Sequence, residues 1–218
     1  MVRRNRTDFQ SSLLPARPDA RDIPGFPLRA NAPALSAGMS HRSKDSVPNS
    51  ALRCTLLFAL GFVICCVVGE QLSYVQEIPF ITFWPAAGLY LGTLTLAERR
   101  DWPRFIAVAV AVNLLFNLSL KSLPVGVSLL FCVANSAEAV VGAALLRLWR
   151  RRGAEHSCFR DLLGLTGAGV VSGICGASIG ILALKLTGVA DWNTTLWIIW
   201  WSADVVGIVL FGPVVLSW

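Results

Sequence analysis

The chain has 218 residues, of which 55% are hydrophobic and only 15% charged, with a formal net charge of +6. Ordinary soluble domains carry about 25% charged residues. The composition therefore excludes a disordered protein, a disulfide scaffold and a basic soluble nucleic-acid binder, and leaves a polytopic membrane protein.

The first 50 residues hold eight basic side chains (Arg3, Arg4, Arg6, Arg17, Arg21, Arg29, Arg42, Lys44) and four aspartates among Pro, Ser, Ala and Asn. Without an apolar period they bury too little surface to offset their ordering entropy, which predicts a disordered cytoplasmic tail over 1–50. No apolar core follows the arginines at signal-peptide distance, and Arg3-Arg4 lacks a twin-arginine context. Met39 is an alternative start.

Six apolar blocks follow: Ala51–Gly69, Phe80–Ala97, Pro103–Leu120, Pro124–Leu146, Leu162–Lys185 and Leu196–Trp218. Each is long enough to cross about 30 Å of hydrocarbon at about 1.5 Å per residue. The predicted fold is an all-α polytopic bundle of about six transmembrane helices. The weakest break lies between the third and fourth blocks, where Lys121, Ser122 and Pro124 interrupt the apolar run.

Orientation follows from the basic residues. The tail with Arg53, the loop with Arg99, Arg100 and Arg104, and the loop with Arg147, Arg150, Arg151, Arg152 and Arg160 hold 17 of the 19 Lys/Arg. All fall on one side of a six-span topology. The other side has Lys121 and Lys185 with Glu70, Glu77 and Asp191. The N-terminus is therefore expected in the cytoplasm. The positive charge is a topology signal first and an anionic-lipid contact second; no nucleic-acid partner is expected. Trp102, Trp149, Trp192 and Trp197 fall at span ends, as an aromatic belt would.

The six cysteines (54, 65, 66, 132, 158, 175) form no CxxC pair, and most lie inside spans, where Cys acts as a small apolar residue. The two histidines, His41 and His156, lie outside the spans, which excludes a bis-His haem in the bundle. No phosphate loop or HExxH signature occurs. No metal, cofactor or catalytic residue is expected.

Three constellations stand out. At the second block, Pro85 suits a first helical turn, and Gly88 and Gly92 form a small-residue stripe. That is a packing seam, or, with Trp84, the mouth of a pocket. In the fifth block Gly169/Gly173 and Gly176/Gly180 repeat small-xxx-small spacing, which reads as helix packing. Polar residues inside spans are the third: Asn113 and Asn117 on one face, Asn135 and Glu138 on another, and Asp204 with Trp200 four residues before it. An ionisable residue at such depth costs at least about 2.5 kcal/mol and should face the bundle interior. With no Lys or Arg at matching depth, the carboxyls must be protonated, hydrogen-bonded to the asparagines, or partnered by a ligand or cation. Interhelical hydrogen bonding and a sensing site both account for them.

Three segments in register resemble the membrane-associated sensor domain family, MASE, of the first type. They are Trp84-Pro85-Ala86-Ala87-Gly88 followed by ERRDWPRF, the asparagine and glutamate of VANSAEAVVGAALLRLWRR, and Trp200, Trp201, Asp204, Gly207 and Pro213 in WWSADVVGIVLFGPVVLSW. They span about residues 52–218. The resemblance implies a bacterial inner-membrane sensory module joined to a cytoplasmic output, such as a GGDEF or EAL cyclic-di-GMP domain, a histidine kinase or PAS modules. It also implies a homodimer. The family looks closer to eight spans, and no output domain follows Trp218, so a fragment is expected.

The resulting expectation is a sensory input domain in which a small ligand or ion is recognised by Glu138 and Asp204, oriented by Asn113, Asn117 and Asn135, and walled by Trp84, Pro85, Trp200 and Trp201. Helix packing is assigned to Gly88, Gly92, Gly169, Gly173, Gly176, Gly180 and Gly207. The alternatives are a transporter or channel using the carboxylates for ion coupling, for which no internal repeat is found, and a membrane anchor held by packing alone.

Overall fold

The computed structural model describes residues 47–73, 82–152 and 158–217. The predicted tail over 1–50 falls almost wholly outside the described residues, as do Phe80, Ile81, His156 and Trp218. The described residues form six α-helices: α1 Val47–Leu72, α2 Pro85–Leu96, α3 Trp102–Ser119, α4 Val125–Arg151, α5 Cys158–Leu186 and α6 Thr194–Leu216, with a 3₁₀ turn at Arg99–Asp101 before α3. The fold is a polytopic helical membrane bundle.

One predicted span is corrected. Among the described residues five helices are long and apolar enough to cross a membrane, and α2 is not one of them. It has 12 residues, or about 18 Å, where the apolar block suggested a full crossing from Phe80. The reason is Pro85. A residue before proline is driven out of the helical region, and Trp84 accordingly sits at φ −122°, ψ 80°. The helix starts at the proline and stops where Ala97 turns extended. The apolar count could not see this break, because Phe83 and Trp84, just ahead of the proline, are as apolar as the helix itself. The weak break between α3 and α4 is a real turn, closed by Leu123 N–H on Asn117 C=O at 3.1 Å with Ser122 at φ 52°.

The short helix is the centre of the bundle. It packs against α1, α3, α4 and α6, while α5 closes the far side against α4 and α6. Nine of its twelve residues are buried, which explains why its apolar residues follow no single stripe. Phe58 and Phe62 of α1, Tyr90 of α2 and Phe105 of α3 form one aromatic cluster, with centroids 5.2–6.0 Å apart.

Both ends of α2 are tied down. At its start, Ser73 Oγ accepts from Phe83 N–H at 3.0 Å, and Trp84 N–H donates to Ala203 C=O of α6 at 3.2 Å. At its finish, Arg147 of α4 donates from Nε to Thr95 C=O at 3.0 Å and from Nη2 to Ala97 C=O. Trp102 Nε1–H donates to Leu94 C=O at 2.9 Å. These donors meet the orphan carbonyls of a helix C-terminus, where positive charge is favoured. Trp102 and Trp149 thus do more than sit at an interface: Trp149 exchanges hydrogen bonds with Arg160 across the α4–α5 turn, at 3.1 and 3.0 Å.

At α6, the Asn193 side chain caps the helix by accepting from Thr195 N–H at 2.9 Å and Leu196 N–H at 3.2 Å. Asn193→Ala should lower stability by about 1 kcal/mol, read as a small drop in the thermal unfolding midpoint of the detergent-solubilised chain.

The small-residue stripes pack differently from the expected seam. Along α5, four glycines are seats for large side chains: Gly169 for Ile208, Gly173 for Trp201, Gly176 for Glu138 and Gly180 for Trp200. Gly92 seats Val215 in the same way. Gly88 and Gly207 instead bring two backbones together. A Cβ on Gly88 would lie 2.4 Å from Gly207 O, and one on Gly207 would lie 2.0 Å from Trp84 O.

Candidate functional site

The start of α2 lies beside the middle of α6, because Trp84 is bonded to Ala203, nine residues before Gly212. It also lies beside the middle of α4. Ala86 and Ala87 share a niche of about 10 Å³ with Asn135 and Glu138, and Glu138 is equidistant from the two ends of α4. Pro85 has no N–H, and Ala87 N–H turns back to Trp84 C=O at 3.2 Å. The positive end of a helix dipole thus opens inside the bundle next to a carboxyl group.

Glu138 and Asp204 are 2% and 1% exposed, and their carboxyls lie within hydrogen-bonding reach of one another. Sequence spacing could not place these two carboxyls together, since they sit on different helices; the close crossings of α4, α5 and α6 do it. Gly176 of α5 supplies the room, because a Cβ there would lie 2.7 Å from Glu138 Oε2 and 3.1 Å from its Cβ. One oxygen of each group, Glu138 Oε1 and Asp204 Oδ2, is buried without a hydrogen-bond partner, as is Asn117 Nδ2.

Asp204, but not Glu138, lines a cavity of about 390 Å³. Its walls are Trp84, Asn113, Asn117, Phe131, Asn135, Leu184, Trp200, Ala203 and Asp204, and it rises to Lys121 and Leu123 of the α3–α4 turn and Val189 of the α5–α6 turn. Its volume is that of a small-molecule site, with mostly apolar walls and a few convergent polar groups. Phe131 and Trp200 meet edge to face at 4.8 Å and 89°. At the mouth, the Lys121 ammonium pairs with the Glu70 carboxylate of α1.

The structure brings seven of the nine expected sensing residues to the cavity and its niche: Glu138, Asp204, Asn113, Asn117, Asn135, Trp84 and Trp200; Pro85 is buried in the first turn of α2 and lines neither. Trp201 is not among the lining residues. Its ring stacks on Trp197, and its Nε1–H donates to Val170 C=O of α5 at 3.1 Å. Sequence reasoning passed over Lys121 and Phe131. Lys121 stands in the α3–α4 turn, four residues beyond Asn117, and Phe131 lies four residues before Asn135 on α4; that spacing was the available signal.

Gly176→Ala should drive Glu138 off its seat, and the strain should be relieved when Glu138 is truncated as well. A thermal double-mutant cycle of Gly176→Ala with Glu138→Ala is expected to give a favourable coupling of about 1 kcal/mol or more.

The architecture is that of an integral-membrane helix bundle with a ligand-sized polar cavity in its interior. The MASE1 family model matches residues 54–218, and the chain belongs to that family. MASE1 is a membrane sensor input domain of signalling receptors. No curated protein and no solved structure matches the chain.

Proposed function

We propose that the chain senses a small ligand through the cavity lined by Asp204, beside the Glu138 niche, and relays the event to a cytoplasmic output, such as a diguanylate cyclase or a histidine kinase. The observation that carries this reading is a cavity of about 390 Å³ on which Asn113, Asn117, Asn135 and Asp204 converge, with Glu138 in a niche that shares its Trp84 and Asn135 walls. A few convergent polar groups in a mostly apolar cavity are what a small-ligand site needs. The ligand shifts helix packing only through differential affinity for two arrangements. The cavity lies where such a difference is readily made, among α3, α4 and α6 and against the start of α2.

The placement that goes with this reading is the bacterial inner membrane with the N-terminus in the cytoplasm. It rests on the charge distribution. Arg99, Arg104, Arg147, Arg150, Arg151 and Arg160 gather at the end of the bundle opposite the cavity mouth. The cavity then opens away from the cytoplasm.

The test is to introduce Asp204→Asn and Glu138→Gln into the receptor that carries this domain and to measure cyclic-di-GMP formation or autophosphorylation. A change of at least threefold in basal or stimulated output is expected from each. Unchanged output with normal membrane insertion would overturn the assignment. A transporter reading is favoured by one observation, that α2 begins inside the bundle as broken helices of transporters do. Reproducible substrate-dependent flux in proteoliposomes would decide for it.

A further inference from the structure

The arginines at the end of the bundle opposite the cavity mouth fall into two groups. Arg100, Arg104 and Arg150 each have an acid beside them: Glu98 at 2.8 Å, Asp101 at 3.7 Å and Asp161 at 3.4 Å. Among the described residues, Arg99, Arg147 and Arg151 have no acidic partner. These three nevertheless converge. The Arg99 guanidinium lies 5.9 Å from the centre of the Trp102 ring, and that of Arg147 lies 5.2 Å from the same centre. Arg151 stands one helical turn beyond Arg147 on α4, and both Arg99 and Arg151 are within electrostatic reach of Arg147. The ring between them is fixed, because Trp102 Nε1–H is bonded to Leu94 C=O at 2.9 Å.

Three like charges brought together repel one another, and an anion among them removes that cost. Sidedness does not account for the meeting. A basic residue orients a span wherever its side chain points, so topology explains how many arginines lie at this end and not why three of them converge. Arg147 is also incompletely used. Its Nε and Nη2 donate to Thr95 and Ala97 C=O, but a guanidinium has five N–H bonds, and the Nη1 end remains for another acceptor. Guanidinium forks match the several oxygens of a phosphate group. The surroundings decide where that phosphate comes from. Leu96, which lies between the two residues whose carbonyls Arg147 holds, is 51% exposed, and Leu148, next to Arg147, is 48% exposed. Free phosphate has nothing to set against these leucines, whereas a phospholipid has acyl chains.

We propose that Arg99 and Arg147, beside the Trp102 ring, together with Arg151 bind the phosphate of an anionic phospholipid whose acyl chains lie against Leu96 and Leu148. The site is separate from the cavity and does not rest on the sensory reading. Arg147 joins the headgroup to the end of α2, so the lipid fastens the short central helix to the membrane surface.

The experiment is native mass spectrometry of the full chain in a non-ionic detergent, titrated with phosphatidylglycerol, phosphatidylcholine or inorganic phosphate. The first phosphatidylglycerol is expected to bind about fivefold or more tightly than the first phosphatidylcholine, and an equal concentration of inorganic phosphate should not displace it. Arg99→Gln and Arg151→Gln should each weaken it by about fivefold, the scale of one basic side chain at an anionic membrane surface. Arg100→Gln removes the same charge from a neighbour that Glu98 already balances, and should weaken it by less than about twofold. Equal binding of the two lipids, displacement by inorganic phosphate, or a loss from Arg100→Gln as large as that from Arg99→Gln would each overturn the proposal. Arg99 and Arg151 are exposed, and the ranking of the three ligands on the unaltered chain is readable without any variant.

Discussion

Gly207→Ala is expected to lower the stability of the bundle by about 3 kcal/mol, near the upper end for overpacking, or roughly 6 to 12 °C in thermal midpoint. The added methyl would sit 2.0 Å from Trp84 O and 2.6 Å from Trp84 C. Both are backbone atoms, so no rotamer change relieves the clash. The backbone there is also held, since Trp84 N–H is bonded to Ala203 C=O and Pro85 starts the helix. Gly88→Ala meets Gly207 O at 2.4 Å and should behave alike. Gly126 and Gly167 provide the contrast, because a Cβ at either meets nothing within 4 Å. Alanine there should be neutral or stabilise by up to about 1 kcal/mol. Thermal unfolding of the four variants in one detergent checks the set. Equal midpoints would mean that the α2–α6 crossing is looser than the geometry states.

Arg147→Met should cost about 2 kcal/mol, the scale of hydrogen bonds made by a charged group. Arg147 is half-buried, donates to Thr95 and Ala97 C=O, and lies over the Trp102 ring at 5.2 Å. Methionine keeps much of the stem's packing and removes the donors, leaving two carbonyls at the end of α2 without them. The effect should be local. Hydrogen exchange at Leu94–Ala97 should accelerate while that of α5 is retained. Arg147→Lys should recover only part of the loss, because one ammonium cannot reproduce the fork of the guanidinium.

Much of this fold was legible in residue order. Long apolar blocks separated by arginines gave five helices to within a few residues, because burial in lipid demands continuous apolar length. The second block misled for a physical reason. Its apolar count includes Phe80, Ile81, Phe83 and Trp84, and only the proline marks where the helix begins. The polar residues were legible because they are expensive at that depth. Their company was not. Nothing in the spacing joins Glu138 to Asp204, or shows that Gly176 exists to admit Glu138. Lys121 looked like a loop residue and is one, but the α3–α4 turn sets it at the cavity mouth. Trp201 looked equivalent to Trp200, yet the two rings point to different neighbours, since adjacent residues on a helix stand about 100° apart.

The contact of Gly88 with Gly207 has a mechanical consequence. With no side chain between them and a main-chain bond just beyond, α2 and α6 have lost the freedom to slide on one another, and they form a single strut. Asp204 is fixed to that strut, whereas Glu138 belongs to α4. A force that parts or draws together the two carboxyls therefore acts between two bodies rather than within one. A displacement begun at Asp204 would be delivered along α6 to Leu216 with little loss until it reaches Pro213, the one joint built into that rod.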